Sequence, residues 1–249
     1  MDWSDEGIIL SARSHGETDA IAEILTRAHG RHLGLVRGGR SRRQRPTLQA
    51  GNVVRAQWRA RLPEHLGHYT VELTDARAAL ALDDATALAG LSTLCALARL
   101  LPEREPHGAL HDTARLVLDH MDEPQVWPGL LVRWELGLLE ELGFGLDLSA
   151  CAKTGSTQEL VYVSPKSGRA VSREAGAPYE AKLLALPAFL RPNGGTELAA
   201  GDVLAGFKLT GHFLERNLFA PRGIPIPETR ERLLTRLERE IGQATGSGT

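Results

Sequence analysis

From Asn52 to Leu62 the chain alternates without a break. Val54, Ala56, Trp58, Ala60 and Leu62 fall on one side of an extended segment, and Arg55, Gln57, Arg59 and Arg61 on the other. A side-chain period of two belongs to a β-strand, so this stretch predicts a strand with one apolar and one cationic face. Its neighbours supply partners. Gly7–Ala12 is a short apolar run ending at the turn-like Ser14-His15-Gly16-Glu17. Asp19–Thr26 fits strand or helix by periodicity, and its brevity and flanking glycines favour strand. His29-Gly30-Arg31 turns the chain into His32–Val36, while Tyr69, Val71 and Leu73 alternate with His68, Thr70, Glu72 and Thr74. Five short strands with no room for crossover helices predict a small antiparallel barrel of oligonucleotide-binding type over residues 1–79.

Between the third and fourth strands runs Arg37-Gly38-Gly39-Arg40-Ser41-Arg42-Arg43-Gln44-Arg45, with five arginines and no acid. The planar guanidinium fork gives bidentate, charge-assisted hydrogen bonds to phosphate, so a mobile cationic loop reads as a nucleic-acid backbone contact. A solvated basic loop without a partner is the plainer alternative. Charge distribution bears on the choice. Residues 1–61 hold eleven arginines against six acids, a net of +5, while the remainder carries eighteen basic and twenty-five acidic residues, a net of -7. Arg55, Arg59 and Arg61 continue the sign of the loop, giving candidate DNA contacts at Arg37, Arg40, Arg42, Arg43, Arg45, Arg55, Arg59 and Arg61.

From Asp83 the period becomes helical. Asp83-Asp84 offers an N-cap ahead of Leu88, Leu91, Leu94, Cys95, Leu97, Ala98 and Leu101, and Pro102 stops the helix. Further helices are expected at about 107–121, from Pro128 to Gly143, and at about 179–186, 201–218 and 228–241, with a frayed end from Gly246 to Thr249. Residues 147–176 interrupt them with a hairpin, Leu160–Val163 and Arg169–Val171 around Ser164-Pro165-Lys166-Ser167-Gly168. The expected architecture is α+β: a five-stranded barrel, then a helical bundle over 80–249 carrying that insertion. Two cysteines, Cys95 and Cys151, give no disulfide framework. The acidic N-terminus is unlike a signal peptide, and Leu88–Leu101 is too short to span a bilayer, so a cytoplasmic protein is expected.

Catalytic motifs are missing: the chain has no G-x-S-x-G, P-loop, H-E-x-x-H or Rossmann glycine pattern. Glu17, Asp19 and Glu23 could hold a metal for a nuclease, with Asp19 and Glu23 sharing a strand face, but a solvated position suits them better. No catalytic residue, metal ligand or cofactor is assigned.

Several segments occur in the order of a known family. They are Gly7-Ile8-Ile9-Leu10 with Gly16-Glu17-Thr18-Asp19, and Val36-Arg37-Gly38-Gly39-Arg40-Ser41. Arg133-Trp134-Glu135-Leu136-Gly137-Leu138-Leu139 follows with Leu142-Gly143-Phe144-Gly145-Leu146-Asp147-Leu148, then Cys151-Ala152 with Ser164–Ala170. Over nearly its whole length the chain resembles the RecO family of bacterial recombination mediators. The resemblance implies a non-enzymatic, nucleoid-associated protein that binds single- and double-stranded DNA and anneals complementary strands. It also implies partnership with RecR, helping RecA replace single-strand-binding protein, whose acidic C-terminal tail would dock on the helical body. Arg133, and less strongly Arg216, are the candidates for gripping that tail. An internal salt bridge from Arg133 to Glu135 or Asp119 is the alternative. Many relatives carry a zinc ribbon where residues 147–176 lie. Here Thr154 stands where a second cysteine would be needed and the segment holds no histidine, so a zinc-ribbon-like hairpin without zinc ligands is expected. The rival functional classes are a protein–protein adaptor with a basic loop and a metal-dependent nuclease.

Overall fold

The computed structural model describes residues 1–192, 194–195 and 198–246. Two compact units divide the chain, Met1–Glu123 and the remainder from Pro124 onward.

In the first unit, β1 (Asp2–His15), β2 (Asp19–Thr26), β3 (Gly30–Val36), β4 (Val53–Arg59) and β5 (His68–Asp75) join in the order β1-β2-β3-β5-β4, and β4 pairs with β1 to close a barrel. All pairings are antiparallel except the short seam between β3 and β5, where only Leu35–His68 and Val36–Tyr69 are matched. The alternation of β4 holds: Val54, Ala56 and Trp58 point into the core beside Ile9, Ala22 and Ile24, while Arg55, Gln57 and Arg59 face out. The strand ends at Arg59, so Arg61 and the exposed Leu62 lie beyond it. Strand β1 starts five residues earlier than the apolar run at Gly7, because Asp2–Glu6 continue its pairing with β4. That acidic stretch has no hydrophobic signature of its own.

Both faces of β2 are buried. Ala22 and Ile24 fill the barrel, while Ile21, Glu23 and Leu25 lie on the opposite face; α3 (Gly108–Asp119) packs against β2 and α2 (Ala85–Ala98) against β1. Asp84 caps α2 by accepting from the Thr86 and Ala87 N–H groups at 2.7 and 3.2 Å. Cys95 is a core residue of that helix, and burial pushes its thiol up to about 12. The short α1 (Arg77–Ala81) has no sequence signature. It is placed by Asn52, whose side chain accepts from the Ala78 N–H and donates to the Pro46 carbonyl.

Glu23, expected on the solvated side, is buried instead, bonded by Arg31, by Ser11 at 2.9 Å and by Arg99 at 2.7 Å. Burial raises this carboxyl, and the hydrogen bonds from Arg31, Ser11 and Arg99 outweigh it, holding it below the usual glutamate range. A depressed carboxyl contributes stability above its unfolded-state pKa and loses it as pH falls through the folded value. The acid limb of the first unit's stability curve should therefore flatten in Glu23→Gln, measured by denaturant unfolding at successive pH values. An unchanged acid limb would refute the assignment.

In the second unit, α4 (Trp127–Glu141) packs on α6 (Ala200–Leu214), and α7 (Glu228–Gly246) lies against α6. Pro128 sits in the first turn of α4, as its position requires. Helix α6 stops at Leu214 and passes into a π turn, Glu215–Phe219, where one continuous helix to 218 was expected. Strands β6 (Leu160–Val163) and β7 (Ala170–Ser172) form the expected hairpin and are followed by the one-turn α5 (Arg173–Gly176). The helix expected at 179–186 does not form. Pro178 lies in the first turn of a 3-10 segment, Ala177–Lys182, and a short strand β8 (Leu184–Ala185) follows ahead of Pro187, pairing with β6 to complete a three-stranded sheet. Of the expected frayed end, residues 247–249 lie outside the described residues. Among the described residues no helix is long and apolar enough to cross a membrane.

Candidate nucleic-acid interface

The arginine loop leaves β3 at Arg37 and is tied back to the β1–β2 turn. Gly38 N–H donates to Asp19 Oδ1 at 2.8 Å, and Arg40 N–H to the Thr18 carbonyl at 2.9 Å. The Arg40 guanidinium donates to the Gly16 and Glu17 carbonyls at 3.1 and 2.8 Å. Gly39 runs so close to β2 that a Cβ there would lie 2.7 Å from the Ala20 Cβ. Further along, Leu48 is buried in the barrel core. The loop is thus a set of anchored turns rather than a free tether, and Arg37, Arg42, Arg43 and Arg45 stand exposed on it. Asp19 is one of the anchors. The Gly38 N–H, then the Thr18 hydroxyl, hold its carboxyl below the usual aspartate range. Removing this acceptor in Asp19→Ala should loosen the loop, so that trypsin cleaves at the 37–45 arginines several-fold faster while the barrel stays folded. Unchanged cleavage kinetics would show that the tether is immaterial.

The outer face of β4 is less cationic than its own sequence suggests. Register sets Glu6 and Glu72 on either side of Arg55, and Asp2 and His68 on either side of Arg59. Arg59 reaches Asp2 at 3.4 Å. The neighbours' acids offset much of that face, and the exposed positive charge concentrates in the loop. Trp58 and Tyr69 offer no stacking surface for bases. Both are buried, with Trp58 Nε1–H donating to the Leu66 carbonyl at 3.0 Å and Tyr69 bonded to the His32 carbonyl.

A residue that the sequence did not single out joins the loop. Arg13, near the end of β1, lines with Ser14, Arg40 and Arg45 a cleft of about 340 Å³ over Ala20 and Leu48. Nothing local in the sequence signals this, because Arg13 reaches the loop only through the β1–β2 register.

The nuclease cluster does not assemble. Glu23 is committed to Arg31 and Arg99, Asp19 to Gly38, and among the described residues no group of three His, Cys, Asp or Glu side chains could hold a metal. In the insertion, buried Cys151 Sγ accepts from the Ser172 N–H and hydroxyl at 3.3 and 3.4 Å. Burial raises its thiol, and donors from Ser172 and Thr154 outweigh that and lower it to about 6. The sulfur is held by hydrogen bonds, and its surroundings do not fit a tetrahedral zinc site.

Arg133 and Arg216 both face backbone carbonyls of their own unit. Arg133 donates to the Phe189 carbonyl at 2.7 Å with its guanidinium 5.9 Å from the Phe189 ring. Arg216, in the π turn, donates to the Pro165 and Lys166 carbonyls and so grips the tip of the hairpin. The two carboxylates named as alternative partners of Arg133 have partners within their own units. Glu135 pairs with Arg230, and Asp119 with Arg77 and Arg115.

The family models and curated relatives that this chain matches extend over both units. Residues 1–77 match the family model described as Recombination protein O N terminal, and residues 82–223 match Recombination protein O C terminal. The chain is 54% identical over 239 residues to the DNA repair protein RecO of Mesorhizobium japonicum, covering 96% of this chain and 94% of that one. It is 55% identical over 244 residues to the protein of the same name from Rhodopseudomonas palustris strain TIE-1, covering 97% and 98%. The chain belongs to the RecO family of DNA repair and recombination proteins.

Proposed function

We propose that this protein is a non-enzymatic recombination mediator that binds single- and double-stranded DNA through its barrel. The carrying observation is the anchored loop, which presents Arg37, Arg42, Arg43 and Arg45 to solvent from a backbone held by Asp19, Thr18 and Arg40. Arg55, Arg59 and Arg61 are flanking contributors. The strand order, with its parallel β3–β5 seam, supports an oligonucleotide-binding type of barrel. Contacts of this kind act on phosphates and carry little sequence information, and counterion release supplies much of the binding free energy. Neutralising phosphates on two strands at once lowers their repulsion, which gives strand annealing a physical basis.

In this reading the second unit receives partner proteins. RecR and the acidic tail of single-strand-binding protein are the proposed partners, with RecA helped onto DNA indirectly. The Arg133 and Arg216 guanidiniums, held in place by carbonyls, are proposed to meet carboxylates with their remaining N–H groups. The cellular site is the cytoplasm, at the nucleoid. The 147–176 insertion keeps a zinc-ribbon-like shape by hydrogen bonding. Elemental analysis of the purified protein should accordingly find no stoichiometric zinc, and a value near one per chain would refute this.

Binding isotherms for single-stranded and duplex DNA across a salt series test the main reading. If about five arginines engage single-stranded DNA, log K should fall with log[salt] with a slope of about 3.5. A protein–protein adaptor would bind DNA weakly and without length dependence, and that result would overturn the proposal.

A further inference from the structure

The cleft beside the loop is lined by three arginines, Arg13, Arg40 and Arg45, together with Ser14, and none of its lining residues is acidic. Arg13 lies on β1, opposite Ile21 of β2, so its place is set by the sheet and not by the loop. Arg40 is oriented from behind by the Gly16 and Glu17 carbonyls. Among the described residues no carboxylate pairs with Arg13 or Arg45. Three like charges sharing a concave site of this size repel one another unless an anion enters, and the walls of a cleft focus their field. The apolar floor of Ala20 and Leu48 adds no charge of its own.

We infer that this cleft is a discrete phosphate seat, in which Arg13 and Arg45 grip one phosphoryl group of a nucleic-acid strand from opposite walls while Arg40 backs it. This deepens the DNA-binding reading above and rests on it. The seat fixes where the strand crosses the barrel, whereas Arg37, Arg42 and Arg43 supply diffuse attraction. Its occupant is a phosphoryl oxyanion, either an internal phosphodiester or the terminal phosphate of a strand end.

The test compares the whole protein with Arg13→Ala, Arg13→Lys, Arg45→Ala, the Arg13→Ala/Arg45→Ala double variant and the Arg37/Arg42/Arg43/Arg45→Ala variant. Fluorescence anisotropy is read with a labelled oligothymidylate over a salt series. Arg13 is exposed, and unchanged melting temperatures would confirm intact folding. Arg13→Ala should weaken binding roughly tenfold and lower the salt slope by about 0.7, although it lies outside the basic run. Arg13→Lys should recover part of the loss, since it keeps the charge and not the fork. The double variant should lose clearly less than the product of the single losses, because both side chains hold one group.

Wild-type affinity in Arg13→Ala alongside a crippled four-arginine variant would overturn the seat and leave the DNA-binding reading standing. Full affinity in both would remove that reading as well. Simply multiplicative losses in the double variant would also overturn the seat, because the two arginines would then act on separate groups. A companion titration with 5′-phosphorylated and 5′-hydroxyl strands distinguishes the occupants. A preference for the phosphorylated strand that vanishes in Arg13→Ala assigns the seat to strand ends. Equal binding of the two strands, together with the Arg13→Ala loss, assigns it to internal phosphodiesters.

Discussion

Replacing Arg37, Arg42, Arg43 and Arg45 together by alanine is expected to lower affinity for single-stranded DNA about a hundredfold or more at low salt. The salt slope should fall by about 2.8, four contacts at roughly 0.7 each. Arg40 is deliberately kept. Its guanidinium holds the Gly16 and Glu17 carbonyls, so removing it would mix lost attraction with a loosened loop. The four substituted side chains are exposed, and surface changes of this kind usually shift stability by no more than about 0.5 kcal/mol. The variant should therefore melt with the parent while failing to bind. Undiminished binding at moderate salt would take the phosphate contact away from the loop.

The largest expected loss of stability comes from Glu135→Ala. Glu135 is fully buried on α4, and its carboxylate receives Arg230 Nε–H at 2.8 Å and Nη2–H at 2.9 Å, with the Thr210 hydroxyl as a third donor. Arg230 also donates to the Phe207 carbonyl at 2.7 Å, so the cluster joins α4, α6 and α7. Deleting the carboxylate strands a buried guanidinium, which typically costs about 3–5 kcal/mol. Substituting both partners by apolar residues, Glu135→Leu with Arg230→Met, should recover most of that loss, because neither charge is then left unpaired. Denaturant unfolding of the three proteins checks the order. A single variant as stable as the parent would mean that water reaches the site.

How much of this was legible beforehand depended on the range of the interaction. The strand expected over 52–62, which forms over 53–59, the helix capped by Asp84 and the helix begun near Pro128 are written in local periodicity and local capping. Features set by register were not legible. Glu23 reads as a surface carboxylate until β2 is covered by helices, and Arg55 reads as a free cation until Glu6 and Glu72 arrive beside it. Arg13 joins the loop for the same reason. Arg133 and Glu135 illustrate a geometric error: residues two apart on a helix point to nearly opposite sides, so their pairing was never available. The π turn carrying Arg216 had no sequence sign at all.

The barrel closes with one short joint. Between β3 and β5 only two residue positions are matched, helped by the Leu35 N–H donating to the Gly67 carbonyl at 3.0 Å. The arginine loop departs one residue beyond that joint. Pull on the loop is shared between that joint and the hydrogen bonds that tie Gly38 and Arg40 to the β1–β2 turn, so the seam with the fewest rungs does not bear it alone.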